Sequence, residues 1–546
     1  MKQCSILISV LFVLISCAPE KLPADLLVKN ATIYTVNEAF DTANAFVVKD
    51  GKILEIGLKP ELELKYNTTA TFDAKGKTIV PGLFDAHAHF YNLGVALQQV
   101  NLVGTESYQD VLQRVQAFYD DRNPNYILGR GWDQNDWATK EFPTKKELDS
   151  MFPDIPVALT RIDGHALLVN SKALSIAGIT AKTKMEGGEV ELANNEPTGI
   201  LIDTPMRLVY DAMPAPSDDF VTQALLDAQK ICFENGLTTI NDAGLERSVI
   251  EQIDAMQQTG DLQMRIYAMV STRNPEDIDY YLSNGIYETE KLTVRSVKVY
   301  GDGALGSRGA AMRAPYTDKD NHYGAMITSE DSLRALARRI AAAGFQMNTH
   351  AIGDSANISV LRVYDEVLKN QTDARWKVEH AQIVSQADFD IFSKNIIPSV
   401  QPTHATSDMY WAEDRVGSER IQGAYAYKTL LDKAGIVVLG TDFPVEKVNP
   451  MHTFYAAVAR KDLENYPNDG FQKKDALSRE ETLRGMTIWA AYSNFEEARK
   501  GSIENGKFAD FTVLDRDIMN IPEDSIPKTK VVATFVNGKQ VYTSKE

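Results

Sequence analysis

The chain has 546 residues, of which 44% are hydrophobic and 24% charged, so it is long enough to bury a large core and has the composition of an ordinary globular protein. Wholesale disorder, a collagen-like fibre and a polytopic membrane protein are therefore excluded. The 75 Asp and Glu residues outnumber the 57 Lys and Arg residues, which gives a formal charge of −18. Because such a surface repels phosphate backbones and no dense basic run is present, we expect no nucleic-acid partner.

The N-terminal segment is typical of an export signal. Lys2 precedes an apolar run over residues 6–15, which is too short to cross a bilayer but suits the core of a signal peptide. The run ends in the letters LISC at Cys17, which resembles a bacterial lipobox, in which the cysteine is lipidated and becomes the mature N-terminus. We therefore expect residues 1–17 to be a lipoprotein signal peptide, although ordinary secretion with cleavage nearby is an alternative.

This signal predicts an exported bacterial lipoprotein that faces the periplasm or lies on the outer membrane. Membrane contact would occur only through the lipid on Cys17. Processing there would remove Cys4 and leave Cys232 as the one unmodified cysteine, so no internal disulfide is expected.

Both ends of the remaining chain are rich in short strands. Residues 24–80 and 500–546 carry Val, Ile, Thr and Phe in runs that break at hairpin signals such as Asp50-Gly51 and Asn537-Gly538. Each flank is too small for an independent β-domain. We therefore predict one small composite β-sandwich built from both chain ends.

Between the flanks, over residues 81–499, strands alternate with amphipathic helices, which is the pattern of repeated βα units. Eight buried-strand candidates predict an α/β fold, a (β/α)8 TIM barrel. They are TIVPGLFDAHAH, GLTTINDAG, MRIYAMV, RSVKVYGDG, FQMNTHAIGD, WKVEHAQ, IIPSVQPTH and GIVVLGTDFP. Two further strand-like segments, YILGRGW and PVALTRID, fall in an irregular stretch at about 121–215, which we interpret as an inserted lid or subdomain.

Histidines end several of these strands. His87 and His89 are two residues apart, and alternate residues of a strand face the same side, so both imidazoles can reach one ion. His350, His380 and His404 end other candidate strands, and Asp442 ends the eighth. Since the carboxyl ends of barrel strands converge on one mouth, this pattern predicts a metal site there. The alternative is a set of capping or core histidines, an interpretation that fits His404 best.

The motifs that carry these residues resemble a known superfamily. PGLFDAHAH, THAIGD, VEHAQ, GTDFP and GSIENGKFADFTVLD are similar to those of the metal-dependent amidohydrolases. VKVYGDGALGSRGA, GWD and RIDGHALLVNSKAL resemble one branch, amidohydrolase family 3 (YtcJ-like), which includes N-substituted formamide deformylase. The resemblance extends from about residue 25 to the C-terminus.

This resemblance implies a site with two divalent metal ions. His87 and His89 would bind the more buried ion with a contact from Asp442, and His350 and His380 would hold the second. Lys298 takes the position of a bridging lysine that carbon dioxide converts to a carbamate. Zinc is the default for imidazole ligands, while the oxygen ligands also suit manganese or iron. Glu379 directly precedes His380 and is expected to face the opposite side, so we assign it no metal role.

The implied activity is metal-assisted hydrolysis of an amide- or formamide-type C–N bond in a small molecule. Water acidified by the metal ions would attack as hydroxide, with Asp442 as general base and then general acid. The same branch pattern implies a substrate contact for His165 and pocket positions for Trp132, Asp133 and His404. Arg308, in a glycine-rich loop, would be available for an anionic substrate group.

Two alternative functions remain open, and two further motif matches are excluded by the residues around them. A lactone or ester hydrolase could use the same metal site, and a lipid-anchored binding protein could keep the barrel without the chemistry. Residues 301–306 fit G-x-G-x-x-G, but no apolar-faced helix follows to bind a pyrophosphate. Residues 501–507 resemble a P-loop, but Phe508 replaces the required Ser or Thr. The sequence leaves the oligomeric state open, a homo-oligomer included.

Overall fold

The computed structural model describes residues 20–185, 188–213 and 216–545. The predicted signal peptide and the lipidation site at Cys17 lie outside the described residues. Across the described ranges, no helix is both long and apolar enough to span a membrane. Cys232 is buried and carries a free thiol.

Eight parallel strands form the central sheet, and they coincide with the eight predicted segments. We refer to them in chain order as barrel strands 1 to 8: Leu83–Ala88, Leu237–Leu245, Arg265–Ser271, Leu292–Tyr300, Gln346–Ala351, Trp376–His380, Ile396–Val400 and Val438–Leu439. The two ends of the sheet meet where the Asp442 N–H donates to the carbonyl of His87, at 2.8 Å. The predicted (β/α)8 barrel is therefore confirmed.

The barrel strands are buried on both faces because helices cover the outside. All seven residues of barrel strand 3 are buried, as expected for a parallel strand between a barrel interior and a helical layer. Serines cap the long helices, for example Ser217 and Ser329, whose hydroxyls accept backbone N–H groups of the first turn. The helices of this part are Phe90–Leu97, Asp218–Glu234, Arg247–Thr259, Pro275–Asn284, Glu330–Ala342, Asp354–Leu368, Pro402–Asp408, Ala412–Arg420, Tyr427–Ala434, Pro450–Ala459, Arg479–Gly485 and Ile488–Ser493.

The two chain ends share one eight-stranded sheet. Its strands are Leu22–Tyr34, Thr42–Lys49, Lys52–Gly57, Tyr66–Asp73, Thr78–Pro81, Phe511–Leu514, Val531–Val536 and Lys539–Thr543, with the helix Lys59–Lys65 beside them. Thr78–Pro81 pairs with both Leu22–Tyr34 and Phe511–Leu514, so it joins the N-terminal strands to the C-terminal ones.

This sheet folds over on itself. Phe46 and Phe511 lie on strands three positions apart, which a flat sheet would separate by about 14 Å. Their ring centroids are nevertheless 5.1 Å apart, in an edge-to-face contact. The predicted sandwich is thus one continuous sheet whose two halves enclose a core of their own.

A third sheet lies between barrel strands 1 and 2 in the sequence. Its six strands are Val100–Asn101, Ile127–Trp132, Val157–Arg161, Ala166–Val169, Gly188–Ala193 and Glu196–Asp203, and its helices are Tyr108–Arg122, Lys146–Met151, Ser171–Ile176 and Met206–Ala212. Hydrophobic clusters pack on this sheet separately from the barrel core. The segments YILGRGW and PVALTRID belong to this sheet and not to the barrel.

Candidate metal centre

One group of potential ligands joins barrel strand 1 to the turn after barrel strand 8. The Nε2 atom of His89 lies 3.1 Å from Oδ1 of Asp442, and Nε2 of His87 lies 3.6 Å from the same oxygen. The Nζ atom of Lys298 lies 3.1 Å from Nε2 of His87. Ligand atoms of His87, His89 and Asp442 all lie within 4.8 Å of one another, a spacing that one metal ion could span.

Three more imidazoles lie on the other side of Asp442. The rings of His350 and His380 have centroids 4.5 Å apart, and the ring of His404 stacks on that of His380 at 6.0 Å. Nε2 of His404 lies 3.7 Å from Oδ2 of Asp442. Ligand atoms of His380, His404 and Asp442 also lie within 4.8 Å of one another. The structure therefore brings all six predicted ligands together, with His404 beside them.

The end of barrel strand 6 corrects one expectation. His380 has a φ of 72°, so the alternation of a strand stops at Glu379 and both residues turn toward His87. Oε2 of Glu379 lies 2.5 Å from Nδ1 of His87, which leaves Nε2 of His87 free to face the centre. Glu379 is thus a positioning residue that strand periodicity assigned to the wrong face.

Gln401 plays the corresponding part for His380. Its side-chain oxygen lies 2.8 Å from Nδ1 of His380, so Nε2 is again the nitrogen left for a ligand. Outer partners of this kind fix the tautomer and the orientation of a ligating imidazole.

Asp85 closes the barrel directly beneath the centre. Its carboxylate accepts the N–H and the hydroxyl of Thr441, at 3.0 and 2.6 Å, and the N–H of His87 at 3.2 Å. Burial raises the pKa of Asp85 to about 7, although these hydrogen bonds oppose the shift. Gly440 permits the close approach, since a Cβ there would lie 2.5 Å from the nitrogen of His87. Asp85 belongs to the DAHAH motif, so the sequence contained a signal that our assignment did not use.

The protonation states suit metal binding. Burial, followed by the charge of Lys298, lowers the pKa of His350 to about 3, and burial lowers the pKa of His380 well below its usual range. Burial also lowers the pKa of Lys298. Burial would raise the pKa of Asp442, but the imidazoles around it, led by His89, hold that pKa well below its usual range. Burial thus favours the neutral imidazoles of His350 and His380, and the centre favours an ionised Asp442, the forms that bind metals.

Several buried polar atoms of the centre lack a hydrogen-bond partner, which indicates whether a cation would fit there. Nε2 of His350, Nε2 of His404 and Oδ1 of Asp442 are buried and make no hydrogen bond. Leaving buried polar atoms unpaired costs about 1–3 kcal/mol each. Imidazole nitrogens with a carboxylate oxygen form a typical donor set for zinc and similar divalent ions. The residues therefore fit a metal centre.

A cavity of about 930 Å³ opens above this centre. Its floor includes His89, Lys298, His350, His380, His404 and Asp442. Its walls come from the loops after the barrel strands and include Tyr91, Asp242, Glu246, Arg273, Tyr300, Leu305, Asp408, Trp411 and Glu446. This is the position of active sites in barrels of this type, and the volume suits a small molecule.

Comparison with known proteins agrees with this geometry. The profile of the amidohydrolase family (Amidohydro_3) matches residues 70–542. The chain belongs to the amidohydrolase family. As predicted, it is a metal-dependent hydrolase.

Relatives of this amidohydrolase align over nearly their whole length. Protein LONG AFTER FAR-RED 3 of Arabidopsis thaliana is 32% identical, with 96% of this chain and 92% of the relative covered. YtcJ of Bacillus subtilis is 31% identical over 93% and 98%. N-substituted formamide deformylase of Arthrobacter pascens is 26% identical over 95% and 98%. The crystal structure of an uncharacterized metal-dependent hydrolase from Pyrococcus horikoshii superposes with a TM-score of 0.77 at 27% identity, covering 91% of this chain and 99% of that one.

Two predicted pocket residues of the amidohydrolase lie outside the cavity lining. Trp132 is fully buried in the inserted sheet, where its indole N–H donates to the carbonyl of Leu159 at 2.7 Å. Asp133 forms an ion pair with Arg161 at 2.5 Å. In the structure both residues pack and pair within the insertion and not along the cavity, because the strand that carries them belongs to the third sheet.

His165 and Arg308, for which substrate contacts were predicted, also lie away from the cavity lining. The His165 side chain is 73% exposed and pairs with Asp203 at 2.6 Å. Arg308 makes a two-pronged contact with Asp318, at 3.0 and 2.8 Å. Neither residue is among the described residues that line the cavity. A guanidinium already neutralised in this way is not available to a substrate anion.

Proposed function

We propose that this amidohydrolase cleaves an amide- or formamide-type C–N bond of a small molecule held in the 930 Å³ cavity. The observation that carries the proposal is Asp442, an ionised carboxylate that is buried among the five other candidate ligand side chains and also lines the cavity. Bound metal ions would supply Lewis acidity, which lowers the pKa of water and polarises a carbonyl group.

Asp442 is the proton carrier in this proposal. Its pKa lies far below neutrality, so the carboxylate is free to accept the proton of the attacking water. It then passes that proton to the leaving nitrogen, which departs as a neutral amine. His404 lies near the other carboxylate oxygen, with Nε2 3.7 Å from Oδ2, while Nε2 of His89 lies 3.1 Å from Oδ1.

We further propose two zinc ions and a carbamate on Lys298. The Nζ of Lys298 lies in the fully buried centre 3.1 Å from Nε2 of His87, and burial favours the neutral amine that attacks carbon dioxide. The nitrogen loses one proton as the N–C bond forms, so the product carbamate is an anion with two oxygens. His87, His89 and Asp442 would hold one ion and His350 and His380 the other, and the carbamate would supply a ligand to each.

The test is metal content measured by elemental analysis of residues 18–546, with bicarbonate supplied. We expect about two metal ions per chain, falling to one or none in Lys298→Ala. Lys377→Met is the matched control, because Lys377 is an equally buried barrel lysine whose ammonium binds Asn494 at 2.8 Å instead of a histidine. Equal metal content in wild type and Lys298→Ala would refute the bridging role of Lys298. Absence of metal from both proteins would contradict a metal-dependent hydrolase.

A substrate panel tests the bond that is cleaved. N-formyl and N-acyl compounds are compared with esters and lactones of matched size. Preferential cleavage of the amides supports the proposal, whereas faster cleavage of the esters would assign the same centre to ester hydrolysis.

The cellular location is a separate proposal. The letters LISC at the end of the N-terminal apolar run support lipidation of Cys17, export and attachment to a bacterial membrane. Expressing cells should incorporate labelled fatty acid into the wild-type chain and not into Cys17→Ser. Equal labelling of the two would refute the anchor.

A further inference from the structure

The cavity contains one strongly basic side chain without a partner. Arg273 lines the cavity and is exposed to it, and its guanidinium makes no hydrogen bond or ion pair with any described residue. Arg161 and Arg308, by contrast, are neutralised by carboxylates. An unpaired guanidinium in a cavity wall presents a planar fork of donors that matches a carboxylate.

The backbone places Arg273 just beyond the level of Lys298 in the barrel. Ser271, the last residue of barrel strand 3, pairs in register with Lys298 on barrel strand 4. Arg273 follows two residues later, in a turn fixed by the bond from its N–H to the hydroxyl of Ser271 at 3.2 Å. Two residues of chain span at most about 7 Å, so Arg273 lies one level farther out than Lys298.

Tyr300 occupies the same level on the neighbouring strand. It lies two residues beyond Lys298 and pairs in register with His350, whose ring centroid is 5.9 Å from its own. Burial raises the pKa of Tyr300, and the positive charge of Arg273 acts in the opposite direction. Tyr300 and Arg273 both line the cavity, and Tyr300 lies next to the metal ligand His350.

None of the acidic side chains described in the cavity lining forms an ion pair with the Arg273 guanidinium. Asp242 accepts the backbone N–H of Tyr91 at 3.0 Å, and Asp408 accepts the hydroxyl of Tyr425 at 2.8 Å. Glu446 accepts the hydroxyl of Ser407 at 2.7 Å. Glu246 also lines the cavity, but it lies outside ion-pair distance of Arg273.

We propose that Arg273 binds a carboxylate of the substrate, so that the preferred substrates are amides with a carboxylate on the carbon next to the amide nitrogen, as in N-acyl α-amino acids. This inference rests on the proposed function, because it places the scissile carbonyl at the metal ligands. The carbonyl and carboxylate carbons of such a compound are at most about one residue repeat, or about 3.8 Å, apart. The backbone of Arg273 lies up to about 7 Å beyond the level of Lys298, so its guanidinium has to reach back toward the centre to bind a carboxylate that close to the scissile carbonyl.

The test uses a ligand that cannot be hydrolysed. In 4-oxopentanoate a CH₂ group replaces the nitrogen of N-acetylglycine, and 5-hydroxypentan-2-one, in which CH₂OH replaces the carboxylate, is its neutral counterpart without a hydrolysable bond. We expect calorimetry on the metal-loaded protein to show at least about 10-fold tighter binding of the carboxylate, as one charge-assisted contact provides. Arg273→Gln should abolish that preference. Arg362→Gln, which alters an exposed arginine on the helix Asp354–Leu368, should retain it.

The outcomes separate this inference from the proposed function. Equal affinity for the two probes in wild type, no binding of either, or a preference that survives in Arg273→Gln would each overturn the role of Arg273. Hydrolysis of N-formylglycine and N-formylglycinamide is measured in parallel. A carboxylate preference in binding without hydrolysis of either amide would contradict the proposed function alone, whereas equal hydrolysis with no binding preference would contradict the substrate class alone.

Discussion

The contact between Glu379 and His87 makes a quantitative prediction. Glu379→Gln preserves the volume and shape of the side chain and removes its negative charge. Oε2 of Glu379 lies 2.5 Å from Nδ1 of His87 in a region with no solvent exposure. Burial would raise the pKa of Glu379, but the charge and hydrogen bond of His87 outweigh it and lower that pKa, so the wild-type group is an anion.

The magnitude follows from the type of bond that is lost. A hydrogen bond to a charged group contributes about 1.5–3 kcal/mol, whereas the amide oxygen of glutamine retains a neutral bond of about 1 kcal/mol. The difference of about 0.5–2 kcal/mol corresponds to roughly 2- to 30-fold in affinity. The lost charge also makes His87 a less basic ligand, and removal of outer-shell carboxylates typically weakens metal binding about 10- to 100-fold. We therefore expect metal affinity to fall by about 10-fold or more.

The assay is metal content after equilibration with graded concentrations of a competing chelator. Glu497→Gln is the control, because Glu497 pairs with Arg375 at 3.0 Å away from the metal centre. Thermal unfolding of the metal-free proteins checks that both variants remain folded. Unchanged metal affinity in a folded Glu379→Gln protein would refute the positioning role.

Three further predictions concern the base, the sandwich and a buried lysine. Asp442→Asn should retain at least one metal ion yet lose about 100-fold or more in kcat, and full activity would exclude Asp442 as the base. Phe511→Ala should lower the free energy of unfolding by about 3–5 kcal/mol in denaturant titrations, because Phe511 is fully buried against Phe46 and Phe535, whereas the exposed Leu54→Ala in the same sheet should have little effect. Burial lowers the pKa of Lys377 from 10.5 to about 8, so between these values the unfolded chain binds more protons than the folded one and stability should rise with pH. Lys377→Met should show a smaller rise in melting temperature between pH 8 and 10.5 than wild type, and identical slopes would contradict the assignment.

The sequence was sufficient for the barrel and for the ligands at its strand ends. Eight short apolar runs with helices between them can bury both faces only in a parallel sheet that is covered by helices. His87, His89, His350, His380 and Asp442 end such runs, so closure of the barrel brings them together without further information. Lys298 was identified by resemblance, and its burial in the barrel agrees with that identification.

Residues beside the ligands could not be assigned in the same way. Glu379 contacts His87 because the left-handed backbone at His380 ends the strand alternation, and no periodicity in the sequence signals that change. Asp85 reaches Thr441 only because barrel strands 1 and 8 meet across 356 residues of chain. Arg308 was assigned to an anionic substrate group because it lies in a glycine-rich loop, but it pairs with Asp318, a partner that spacing alone does not identify.

Local patterns by themselves predicted the barrel and placed five candidate metal ligands at its strand ends, because hydrophobic periodicity and strand-end position are properties of short segments. The tertiary structure decided which residues orient those ligands, which arginine faces the cavity unpaired and where the inserted sheet carries Trp132 and His165. These depend on contacts between segments that are distant in the chain, where burial and pairing are settled only once the whole sheet has closed.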